Sequence, residues 1–72
     1  MEYLWVEFPF DRLLVIDDVP TDWRTNEIVL IEAGWHDVTL ATPPADFSPS
    51  TITVDVIYTA PTNPKKIKFD KV

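Results

Sequence analysis

The chain has 72 residues, no cysteine and a formal net charge of −6, so it is one small domain without disulfides or thiolate metal sites. The acidic balance argues against a general nucleic-acid binder, which needs clustered Lys and Arg for phosphate contacts. Apolar residues make up 46%, with three Trp, four Phe and two Tyr, enough for a single packed core over residues 1–72 without covalent or metal support.

Short runs of Val, Ile, Thr and aromatics separated by Pro, Asp, Asn and Gly form the pattern of an all-β sandwich or barrel, and six strands are predicted. The first runs from Tyr3 to Phe8, with Leu4, Val6 and Phe8 on one face and Tyr3, Trp5 and Glu7 on the other; it ends at Pro9, which cannot donate to a ladder. The second, Arg12 to Asp17, sets Leu14 and Ile16 against Leu13 and Val15. The stretch DDVPTDWRTN is crowded with turn-formers and is expected to be a connection.

Glu27 to Glu32 follows as a strand apolar on both faces. Its rival is a helix over Asp22 to Ala33, capped by Thr21 and Gly34, but the branched residues Ile28, Val29 and Ile31 suit a pleated surface better. Gly34 is expected to make a reversal at positive φ. Trp35 to Ala41 is the fourth strand, with His36, Val38 and Leu40 inward and Trp35 outward.

TPPADFSPS reads as a loop by its prolines. Thr51 to Thr59 is the fifth strand, with Ile52, Val54, Val56 and Tyr58 on one face and Thr51, Thr53, Asp55 and Ile57 on the other. The sixth runs from Lys65 to Asp70. Four of the six basic residues lie from Lys65 onward, and lysines on a terminal strand discourage pairing with another sheet. No segment is long and apolar enough to span a bilayer. The N-terminus carries early glutamates in place of a basic signal region, which places the chain in the cytoplasm if Met1 is the natural start.

LLVIDDVP, followed after a connection by IVLIEAGWHDVTL, resembles the PEGA domain family of small bacterial β-sandwiches, in which a strand ends in an Asp-Gly turn, here Asp17-Asp18, and a later glycine is separated by one residue from His-x-Val-x-Leu. The matching positions are Leu14, Ile16 and Asp17, then Ile28, Leu30, Gly34, His36, Val38 and Leu40. The resemblance implies a small antiparallel sandwich and a non-catalytic accessory role, in a family often attached to bacterial surface proteins or signalling enzymes.

The residues themselves offer little chemistry. His36 is expected to pack at the strand entrance with its ring nitrogens bonded to backbone at the turn. Ser48 and Ser50 sit in a proline-rich loop without a glycine nest for an oxyanion, and Asp17, Asp18 and Asp22 lack the ligand count and glycine of a calcium loop. The chain is therefore expected to work without cofactor, metal or catalysis.

The outward aromatics are the remaining candidates. Tyr3, Trp5, Trp35 and Ile57 are read as a partner surface, with Val29 and Ile31 as possible extensions. The occupant is expected to be a protein partner or a second copy in a homodimer. The alternative is a carbohydrate or other surface ligand stacked on Trp5 or Trp35.

Overall fold

Leu4, Val6 and Phe8 alternate along the first strand and all three are buried, so the inward row expected from period two is the row that forms the core. The computed structural model describes every residue from Met1 to Val72. Its strands are β1 (Glu2–Glu7), β2 (Leu13–Ile16), β3 (Val19–Arg24), β4 (Val29–Ile31), β5 (Gly34–Leu40), β6 (Phe47–Ser48), β7 (Ile52–Val56), β8 (Lys65–Lys68) and β9 (Asp70–Lys71). The fold is all-β, a small sandwich. A three-stranded sheet in the order β4-β1-β8 packs on a four-stranded antiparallel sheet in the order β3-β2-β5-β7, and β6 pairs with β9. The core joins both sheets: Val29 and Ile31 of β4 meet Leu14, Ile16, Val38, Leu40, Val54 and Val56, with Phe8 and Phe69 beside them.

One sheet departs from the expected antiparallel pairing, because β1 and β8 run parallel, with Val6 opposite Ile67. The connection after β7 returns the chain to the start of β1, where the Thr59 amide and hydroxyl both donate to Glu2 Oε1, at 2.9 and 2.7 Å. Tyr3 N–H in turn donates to the Thr59 hydroxyl at 2.7 Å. After a turn closed by Ala60 and Asn63, β8 starts with Lys65 opposite Leu4 and runs in the direction of β1.

Four further expectations are corrected, the first of them TPPADFSPS as a loop throughout, because Phe47 and Ser48 form β6 against β9. The connection DDVPTDWRTN contains β3, and its Pro20 is tolerated because β3 is an edge strand that pairs only with β2. Val29 and Ile31 face the core, leaving Leu30 as the outward residue of β4. The strand ending at Thr59 in the sequence reading stops at Val56; Tyr58 turns out of it with φ +57° and is 93% exposed.

The β2–β3 turn shows how the local chemistry works. Ile16 pairs with Val19, so the loop has two residues, Asp17 (φ 53°) and Asp18 (φ 64°). That is the left-handed pair a type I′ hairpin requires, and Asp tolerates it better than most residues. Asp18→Gly is expected to relieve the remaining strain and raise stability by about 0.5–1 kcal/mol, measured by denaturant unfolding. Gly34, at φ +120°, makes the entry to β5 in a conformation that side chains rarely adopt.

A second device links β3 to β4 across the two sheets. The buried Thr25 hydroxyl accepts from Arg12 N–H at 3.0 Å and donates to the Phe10 carbonyl at 2.7 Å. Asn26, at φ 62°, lends its carboxamide to both backbone groups of Phe8 and its own N–H to the Val6 carbonyl. The turn between β3 and β4 is thereby stitched to the end of β1, and the two strands leave it as an arch with one leg in each sheet.

Candidate functional site

The residues expected to form a partner surface fall on two sides of the molecule. Tyr3 and Trp5 stand on the outer face of the three-stranded sheet and are half-buried. Trp35 stands on the outer face of the four-stranded sheet, opposite Asp55, and is 69% exposed; Ile57 is exposed just beyond β7 on the same side. Parity correctly turns both tryptophans away from the core. It does not show that the two strands belong to different sheets, and that separation prevents one flat contact from using both.

Trp5 lies in a shallow hollow of about 360 Å³ with Ile28, Pro61, Pro64, Glu7 and Lys66. The larger concavity is elsewhere. Between the legs of the arch is an open cleft of about 590 Å³, lined by Val19, Thr21 and Trp23 of β3, Leu30 and Ile31 of β4, the N-terminal Met1, and Ile16 on its floor. Val19 is 60% and Leu30 44% exposed. Trp23 is half-buried and packs against the core from the inward row of β3.

The cleft exists because the sheets are unequal in width. β3 is the fourth strand of its sheet, and on the matching side the other sheet ends at β4 with no strand beyond it. The inward row of β3 therefore has no opposing layer. These residues were missed in the sequence because Pro20 and Asp22 were read as punctuation; the available signal was the alternation Val19, Thr21, Trp23 between them.

One end of the cleft is closed by His36, Asp17 and Glu32. His36 Nδ1–H donates to Asp17 Oδ2 at 2.6 Å and Nε2–H donates to the Glu32 carbonyl at 2.7 Å. The expected backbone bond is thus present at one nitrogen, while the other meets a carboxylate. Asp17 also accepts from Asp37 N–H at 2.9 Å, so this turn aspartate is engaged on both oxygens.

Both partners of the His36 ring can only accept, so satisfying both requires the doubly protonated ring. Burial opposes that charge, but the hydrogen bonds to Asp17 and Glu32 outweigh it and raise the His36 pKa above its ordinary 6.5. The Asp17 carboxyl is held below its ordinary 3.8, first by the Asp37 amide and then by His36.

The pH dependence follows in sign. The raised His36 pKa gives stability that is fully present below pH 6.5 and is lost as pH rises through the folded value. The lowered Asp17 pKa gives stability present above pH 3.8 and lost as pH falls through its folded value. His36→Gln is expected to melt lower than the wild type near pH ~6, by about 1 kcal/mol, with the gap narrowing toward pH ~8. Thermal melts of both proteins across that range check it.

Neither Ser48 nor Ser50 is a hydrogen-bond partner of His36, whose nitrogens are both taken. No three His, Asp or Glu side chains converge to hold a metal ion. No helix is long and apolar enough to cross a membrane. Comparison with protein-family models, curated proteins and solved structures gave no match.

Proposed function

We propose that the chain is a non-catalytic interaction module, a PEGA-like β-sandwich that docks another protein. The observation that carries this reading is the open arch: an apolar cleft with Val19 and Leu30 exposed at its rim and Trp23 half-buried inside it. A cleft of this size is in the range of binding sites, and a half-buried aromatic anchor among aliphatic neighbours is the usual composition of an interface hot spot. The likeness to the PEGA pattern rests on Gly34, His36, Val38 and Leu40, of which Val38 and Leu40 lie inward.

The test is a matched set of affinity captures from the source organism with wild type, Val19→Lys and Trp35→Ala. Val19 and Trp35 are both largely exposed, so both variants are expected to stay within about 0.5 kcal/mol of wild-type stability. A partner held by wild type and Trp35→Ala but lost by Val19→Lys supports docking in the arch. A partner lost only by Trp35→Ala moves the interface to the outer face of the four-stranded sheet.

A second reading rests on Trp5, whose ring shares its hollow with Glu7 and Lys66. A stacking plane flanked by charged hydrogen-bonding groups is also a sugar site. Saturable quenching of fluorescence by a soluble oligosaccharide, abolished in Trp5→Ala, would favour it over protein docking.

A further inference from the structure

We infer that His36 is a proton-operated latch between the two sheets: the doubly protonated ring ties the end of β4 to the β2–β3 turn, and loss of one proton frees Glu32 while the bond to Asp17 stays. The latch is built into the fold and is independent of what the arch binds.

Its first support is the geometry of the ring. Nδ1 lies 2.6 Å from Asp17 Oδ2 and Nε2 lies 2.7 Å from the Glu32 carbonyl oxygen, and a carboxylate and a carbonyl both only accept. A neutral imidazole has a single N–H, so its other nitrogen would then aim a lone pair at an oxygen at hydrogen-bond distance. That contact is repulsive, and the more mobile side gives way.

The second support is unequal anchoring. Asp17 is fixed to the strand that carries His36, because its N–H donates to the Asp37 carbonyl at 2.8 Å and its Oδ1 accepts from Asp37 N–H at 2.9 Å. Its bond to the ring also has the charged acceptor, which makes it the stronger of the two. Glu32 is exposed, lies one residue past the end of β4, and is followed by exposed Ala33 and by Gly34 at φ +120°. β4 itself pairs only with β1, through three residue pairs that end at Glu2 and Ile31. Asn26 and Thr25 hold the arch near the other end of β4, so release at Glu32 lets one end of a short strand fray while the domain stays folded.

The charges around the ring set the direction. Asp17 from the β2–β3 turn, Glu32 from the end of β4 and Met1 with its ammonium line the same cleft as His36, to which β3 contributes only Val19, Thr21 and Trp23. β7 places Val54 opposite His36, and the neighbouring Asp37 carboxylate is taken by the Thr53 hydroxyl at 2.6 Å. Two carboxylates favour the proton and one ammonium opposes it. Burial also opposes it, but the bonds to Asp17 and Glu32 prevail and put the His36 pKa above 6.5. The latch is therefore closed in mild acid and opens on the alkaline side of the ordinary histidine range.

The experiment is an NMR titration of the intact chain from pH ~5.5 to ~9. Ring nitrogen shifts report the protonation state and tautomer of His36, and the Glu32 carbonyl carbon reports its hydrogen bond. The ring should titrate in one step above pH 6.5 and keep its remaining proton on Nδ1, with the Glu32 carbonyl shift following the same midpoint. Amide protection over residues 31–34, corrected for the intrinsic pH dependence of exchange, should fall about tenfold across the step, as expected for one lost charge-assisted bond. The amides of Asp17 and Asp37 should keep theirs. Asp17→Asn still offers Nδ1 an acceptor but no charge, so the ring midpoint should drop and the change at residues 31–34 should drop with it.

A neutral ring with its proton on Nε2 overturns the order of release, as does protection lost at Asp17 and Asp37 with residues 31–34 unchanged. Equal protection of residues 31–34 on both sides of the step overturns the latch itself. So does a change there that ignores the shifted midpoint of Asp17→Asn. If that variant does not fold, the tautomer and the protection measured in the wild type decide the matter. None of these outcomes bears on Val19→Lys, so the latch and the interaction reading stand or fall separately.

Discussion

Arg12→Ala is expected to destabilise the protein by about 2–4 kcal/mol, which for a domain of this size lowers the melting temperature by roughly 10–25 °C. The guanidinium is only 13% exposed and clamps the proline-rich loop onto the sandwich. Its Nη1 donates to Asp46 Oδ1 at 2.6 Å, and its Nη2 donates to the carbonyls of Ala41 and Pro44. It also lies 6.0 Å from the centre of the Phe8 ring and 5.7 Å from that of Phe47. Alanine leaves two carbonyls and a carboxylate without their donor, beside aromatic rings that lose their cation.

Arg12→Lys tests whether geometry or charge carries the effect. A lysine keeps the charge but has no planar fork, so it cannot serve Asp46 and two carbonyls from fixed directions. It is expected to recover less than half of the loss. Denaturant unfolding measures the size, and the acid limb of the stability curve gives an independent check. The Arg12 hydrogen bond holds the Asp46 carboxyl below its ordinary 3.8, so stability present above that pH is lost as pH falls through the folded value. That component of acid sensitivity should disappear in Arg12→Ala. Full recovery by lysine would show that the loop is held by charge alone.

What could be read in the sequence was local. Period-two alternation is a property of neighbouring residues, and it placed Leu4, Val6 and Phe8, Val38 and Leu40, and Val54 and Val56 inward. Gly34 was legible for the same reason, since a strand entrance at positive φ needs only one residue type. What failed depended on distant parts of the chain. Asp17 and His36 are 19 residues apart, and Arg12 and Asp46 are 34 apart. Nothing in either segment indicates that the two will meet.

The candidate site failed for a related reason. Trp5 and Trp35 could be assigned a side of their own strands but not a sheet, because sheet membership depends on strand order. The turn-formers of DDVPTDWRTN, Pro20 among them, point to a connection, and only the strand order reveals that β3 is an edge strand able to carry a proline. Tyr58 continued the alternation of β7 on paper. The strand ends first, where Val56 makes its pairing with Gly34.

Phe69→Ala is expected to have the largest effect of any single truncation, about 3–5 kcal/mol. Phe69 is fully buried between β8 and β9. Its ring meets that of Phe47 edge-on at 5.5 Å, and Phe47 meets Phe8 edge-on at 6.4 Å. Three aromatics on three separate segments thus close the end of the core over which Arg12 lies. A domain of this length has a total stability of roughly 4–11 kcal/mol, so the loss consumes a large part of it. Because Phe69 N–H also donates to the Glu7 carbonyl at 3.0 Å, the truncation loosens the segment that holds the C-terminal strands against β1. Unfolding should therefore begin with β8 and β9. Hydrogen exchange should show amides of residues 65–71 opening first in Phe69→Ala, while the β2–β5–β7 ladder keeps its protection until global unfolding. Phe69→Leu keeps most of the apolar volume and should retain the native state at a smaller cost. If Phe69→Ala instead melts within about 1 kcal/mol of wild type, the aromatic end does not support the core, and the Arg12 clamp would have to hold that end by itself.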